Sequence, residues 1–184
     1  MAVAHQGHER YPENLRLMLN GVMIMTAHVV GSNNGFEPRD IATVRKNLDR
    51  DAANGRWLRA GFAAARDADA GALILAIHGN MFGPGFGPPW DPEGFLSQSG
   101  FARFAEGLID EANAFARPVL VTFGDTHRFE MRRPFPETAP GIMALETFGA
   151  RHMHAVHLRV TSQGGYPFTV QPLLNPAQPL SPRR

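Results

Sequence analysis

The chain has 184 residues, 43% of them hydrophobic, with 18 basic against 17 acidic side chains and no cysteine. That length suits one domain with a real core, and the near-cancelled charge gives no general pull toward nucleic acid or an anionic membrane. Without thiols there is no disulfide framework, Cys-ligated zinc or thiol nucleophile, so any metal must be held by His, Asp, Glu or Asn. The longest apolar runs are too short to span a membrane, and the opening "MAVAHQGHERYPEN" is too polar for a signal peptide; cytoplasmic residence is the default expectation.

In chain order, "GVMIMTAHVV" (Gly21 to Val30) reads as a buried strand closed by the turn "GSNNG". Ile41, Val44, Leu48, Ala52, Leu58, Phe62 and Ala65 then recur at helical spacing behind Asp40, with a break expected near Asn54-Gly55. "ALILAIHGN" (Ala72 to Asn80) is a second buried strand, and "GPGFGPPWDPEG" a loop able to act as a lid. Phe101, Phe104, Leu108, Ala112 and Phe115 mark an amphipathic helix, and Pro118 to Asp125 a third buried strand. This βαβαβ order predicts an α/β fold whose parallel strands are covered on both faces.

After Pro134, "MALETFG", "HAVHLRVTSQ" and "PFTVQPL" read as short, half-buried antiparallel strands. One domain over residues 1–175 and a loose Pro-rich tail over 176–184 complete the organisation.

The polar residues fall at strand ends. His28 lies near the end of the first predicted strand, His78 at the end of the second, and Asp125 with His127 just past the third. Ligands of open α/β sheets bind beyond the carboxyl ends of the strands, so three strands deliver ligand-type side chains to one rim. The plainer alternative is a set of hydrogen-bonded histidines and turn residues. Ser32, Asn33 and Asn34 are turn residues first and substrate contacts second. Alternation places His152 and His154 on one face and His157 on the other, as surface or sheet-edge residues. No Gly-x-Ser-x-Gly elbow is present, and the glycines of the lid-like loop do not open a helix as a dinucleotide fingerprint requires.

"NGRWLRAGFAAARDADAGALILAIHGN", followed after a helix by "RPVLVTFGDTHRF", resembles the C-terminal half of the calcineurin-like metallophosphoesterases. In that superfamily a Trp-Leu helix leads into a strand ending in a metal-binding His, and a later strand ends in Gly-His-x-His. His78 takes the first position, and Asp125 and His127 the two ligand positions of the second. "AHVVGSNNGFEP" resembles a segment of a bacterial branch of these proteins. The resemblance covers roughly Tyr11 to Leu173. It implies a layered sandwich of two mixed sheets flanked by helices, with a dinuclear centre of Mn, Fe, Zn or Mg that hydrolyses phosphate mono- or diesters. His127 would serve one metal and His78 with Asp125 the other, while His28, Asn33, Asn34 and Arg128 would meet the substrate.

Two departures qualify that expectation. Asp125 stands where the superfamily has its first His, a change that alters a site without abolishing it. The superfamily's Asp-x-His, Gly-Asp-x-x-Asp and Gly-Asn-His-Asp/Glu motifs would have to precede Tyr11 and are absent. The chain therefore reads as the second half of a phosphoesterase, with little activity alone, exposed apolar strands, and a tendency to self-associate or to pair with an N-terminal half. The alternative is a non-catalytic remnant or interaction domain that keeps the fold.

Overall fold

The computed structural model describes residues 3–5, 10–82, 92–161 and 166–178. The strands are β1 (Val3–His5), β2 (Leu15–Leu19), β3 (Val22–Thr26), β4 (Ala72–Ala76), β5 (Val119–Phe123), β6 (Glu130–Arg132), β7 (Ile142–Glu146), β8 (Ala155–Val160) and β9 (Phe168–Leu173). Among the described residues the first seven form one mixed sheet in the order β1-β2-β3-β4-β5-β7-β6, and the last two a separate antiparallel pair. β3, β4, β5 and β7 run parallel to one another, so their carboxyl ends share one rim. The helices are α1 (Gly31–Asn34), a single turn, α2 (Ile41–Asp67), α3 (Pro92–Gln98) and α4 (Ala102–Phe115). This is a mixed α/β architecture, and no described helix is long and apolar enough to cross a membrane.

Alternation along the central strands sorts their side chains into two layers. Met23, Met25, Leu73, Leu75, Val119 and Val121 meet Trp57, Leu58 and Phe62 of α2 and Phe104, Leu108 and Phe115 of α4. On the other face, Ala72, Ile74, Leu120 and Leu145 meet Val156, Leu158 and Val160 of β8 and Phe168 and Val170 of β9. Each large side chain buried this way contributes about 1.5–3 kcal/mol relative to exposure. The expected cover on both faces is thus supplied by helices on one side and a small sheet on the other.

The structure departs from the sequence expectations in four places. Helix α2 runs unbroken through Asn54-Gly55. Asn54 is fully buried and its side chain donates to the His28 carbonyl at 2.8 Å and accepts from Asn14 at 3.0 Å, so tertiary hydrogen bonds outweigh its poor helix propensity. β7 is buried rather than half-buried, pairing parallel with β5 and antiparallel with β6; only β8 shows the expected alternation of burial. β2 was not anticipated, although Asn20-Gly21, with φ of 49° and 78°, is a strong hairpin signal. Because β2 and β4 flank β3, this chain itself pairs both edges of a strand expected to lie exposed. Most of the lid-like loop, residues 83–91, and the tail beyond 178 lie outside the described residues.

Candidate functional site

The strand ends stay zipped together up to the rim. Beyond β3 and β4, Ala27 donates to the Ala76 carbonyl at 3.1 Å, and the Val29 carbonyl accepts from both His78 at 3.1 Å and Gly79 at 2.9 Å. Gly79 is required here: a Cβ on it would lie 2.3 Å from the Val30 carbonyl oxygen.

Asp125 ties three loops to one point. Its Oδ2 accepts from the Asn80 amide at 3.0 Å, across from β4 to β5. Its other oxygen lies against Gly31, where a Cβ would come within 2.7 Å. The carboxylate therefore sits among the loops that follow β3, β4 and β5. His127 follows with φ of 63°, a backbone region that His enters more readily than most residues, and its ring rests over Gly149, whose added Cβ would be 2.2 Å from Cγ. The imidazoles of His78 and His127 and the side chain of Arg128 are exposed, and Asp125 is half-buried.

Sequence reasoning missed Glu146. It ends β7, is 2% exposed, and its Oε1 accepts from the Thr126 amide at 2.7 Å, the Thr126 hydroxyl at 2.6 Å and, at 3.4 Å, the Arg128 amide. One buried carboxylate thus shapes the turn that carries Asp125 and His127. The rule that picked out His78, a polar residue closing an apolar strand, would have found it in "IMALE".

Asn33 and Asn34 are buried and face inward. Ser32, Asn33 and Asn34 all have left-handed φ near 50–55°, the conformation Asn tolerates best after Gly. Asn33 Oδ1 accepts from the Gly100 amide at 2.7 Å, and Asn34 Nδ2 donates to the Gly100 carbonyl at 2.9 Å. Asn33 Nδ2 also donates to the Leu96 carbonyl at 2.8 Å. The pair clamps the turn after β3 to the segment between α3 and α4, a use within the fold and away from solvent.

His28 is half-buried on the β2 side of the rim. Its amide donates to Asn14 Oδ1 at 2.7 Å, and Glu13's carboxylate lies against Nδ1. Burial first, then the nearby Arg50 guanidinium, lowers its pKa below the ordinary histidine value. His152 and His154 stack at 5.6 Å in the approach to β8; the His152 amide donates to the Gly149 carbonyl at 3.2 Å, and His154 packs edge-on against Phe148 at 4.9 Å while its Nδ1 accepts from the Asn175 amide at 3.0 Å.

Metal binding requires donors that converge. Among the described residues no group of three or more His, Asp or Glu side chains is placed to hold an ion. Asp125 has one oxygen engaged by Asn80 and the other against Gly31. In this arrangement the two imidazoles and one carboxylate are donors delivered to one rim.

No family model, curated protein or solved structure matches the chain.

Proposed function

We propose that this chain contributes part of the site of a metal-dependent phosphoesterase-type hydrolase of the calcineurin-like kind. The observation that supports this reading is Asp125, whose carboxylate meets the loops after β3 and β4 while His78 and His127 stand exposed on the same rim. Carboxylate and imidazole donors suit Mn, Fe or Zn. Because the three do not form a cradle alone, further ligands must come from elsewhere, and the chain by itself should turn over phosphate esters slowly or not at all. Calorimetric titration with Mn²⁺ and Zn²⁺, paired with hydrolysis of bis(p-nitrophenyl) phosphate, tests the reading. Weak metal binding that is lost in both His78→Ala and His127→Ala, with little turnover, is expected; binding untouched by either substitution refutes it.

A second reading, a non-catalytic interaction domain, is favoured by a different face. On the side of the large sheet away from the helices, a cavity of about 540 Å³ is lined by Leu19, Val22, Ile24, Ile74, Val160 and Pro167. Val22 and Ile24 are only half-buried there, and Leu19 is 44% exposed. An apolar surface of this kind promotes association, including self-association. If the metal titration fails while sedimentation shows concentration-dependent association, this second reading replaces the first.

A further inference from the structure

We propose that a cavity between the segment preceding β2 and helix α2 binds a small phosphate, either inorganic phosphate or a low-molecular-weight phosphate monoester, through Lys46 and Arg50. This site is separate from the Asp125 rim loops and does not rest on the hydrolase reading. The cavity measures about 280 Å³ and is lined by His28 and Tyr11 together with three fixed cations and two carboxylates.

The charges do not cancel. Asp49 accepts from Arg10 at 3.1 Å and Glu13's carboxylate lies against His28, so three fixed cations face two carboxylates and one positive charge is in excess. Lys46 and Arg50 make no ion pair among the described residues. Arg50 donates to the main-chain oxygen of Asn34 and, at 3.5 Å, to its side-chain oxygen, both neutral acceptors, and its Nε has no hydrogen-bond partner among the described residues. Asp51 acts on Arg50 electrostatically but does not line the cavity. Lys46 is exposed and makes no ion pair or hydrogen bond among the described residues. Residues four apart on a helix share a face, and two like charges so placed repel until an anion comes between them.

The chemistry favours a phosphate over a carboxylate. A dianion with several acceptor oxygens can engage an ammonium, a guanidinium and the Tyr11 hydroxyl together, and such charge-assisted bonds are stronger than neutral ones. Small-molecule pockets begin near about 300 Å³, so this one suits a phosphate with a few carbons.

Lys46 is the chain's single lysine, which gives a direct readout. Reductive ¹³C-methylation keeps its charge and places one lysine NMR probe at the cavity. Titration with inorganic phosphate and with glycerol 3-phosphate, at ionic strength held constant with chloride, is expected to move that signal saturably. Tighter binding of the ester assigns the site to a monoester, and equal binding assigns it to free phosphate. Calorimetry on unmethylated protein should show affinity falling about tenfold in Lys46→Ala, an exposed position whose substitution leaves the fold in place. A signal that does not saturate into the tens of millimolar, or an affinity unchanged in Lys46→Ala, overturns the proposal.

Discussion

Removing Glu146 tests whether one buried carboxylate holds the Gly-Asp-Thr-His turn. In Glu146→Ala the Thr126 amide and hydroxyl lose an acceptor at 2.7 and 2.6 Å, and the Arg128 amide a weaker one at 3.4 Å. Hydrogen bonds to a charged group contribute about 1.5–3 kcal/mol each, so the two short bonds set an upper range of about 3–6 kcal/mol. Thr126 is exposed, and its freed groups recover part of this from water, which puts the net loss near 3 kcal/mol. For a chain of this length that is a fall in Tm of about 6–12 °C. Glu146→Gln keeps an acceptor but loses the charge, and should fall by about half as much. Thermal and urea unfolding followed by circular dichroism at pH 7 would measure both, and hydrogen exchange at the Thr126 amide would report the turn itself. An Ala variant melting within about 2 °C of the parent, a loss under roughly 1 kcal/mol, would mean that the turn is held by something other than Glu146.

Two further substitutions probe the same framework. Asp51 is 6% exposed with an oxygen that has no hydrogen-bond partner among the described residues, and burial raises its pKa against the opposing pull of Arg103 and Arg50. A carboxyl whose folded pKa is raised favours folding fully below its unfolded pKa and loses that contribution as pH rises through the folded one. The Tm of Asp51→Asn relative to the parent should therefore improve between pH 4 and pH 7; a constant difference would refute the assignment. In Gly79→Ala the new methyl meets main-chain oxygen 2.3 Å away, an obstacle no rotamer can avoid, and stability should drop by about 1–3 kcal/mol in urea melts. Parent-like stability would show that the loops after β3 and β4 can separate freely.

The parts of the fold carried by periodic burial were legible in the sequence. β3, β4 and β5 stand inside the three runs read as buried strands, α4 follows its apolar stripe, and Asp40 caps α2 by accepting from the Ala42 amide at 2.8 Å. The errors arose where a partner distant in sequence decides the outcome. Asn54-Gly55 looks like a break until Asn14 and the His28 carbonyl are brought to Asn54. "IMALE" looks half-exposed until β5 and β6 close on both of its edges. At the site, strand-end polarity was enough to bring Asp125 to the loops after β3 and β4. It did not reveal that Asn33 and Asn34 turn inward to Gly100, since a residue 67 and 66 positions away supplies a partner to each.

Backbone strain separates the two ends of the sheet. At the amino end, positive φ has ordinary causes: Asn20 with Gly21 makes the β2-β3 hairpin, and Ala116 caps the carboxyl end of α4. At the carboxyl rim, Ser32, Asn33, Asn34 and Gly35 form four consecutive left-handed residues, although each non-glycine there costs about 1–2 kcal/mol. His127 adds a fifth such residue, and Gly31, Gly79 and Gly149 each sit where a methyl would strike a neighbour. Three of those contacts converge on the proposed site: Asp125 against Gly31, His127 over Gly149, and the Val30 carbonyl over Gly79. Local rules are broken together at this rim, and buried Glu146, Asn33 and Asn34 hold the unfavourable conformations in place. The strain is concentrated where these loops meet, with His78, His127 and Arg128 left facing solvent. The same contacts shape the approach to Asp125: the Asn80 amide takes one lone pair of Oδ2 and Gly31 lies close to Oδ1, so a ligand reaches this carboxylate through the lone pairs those two contacts leave open.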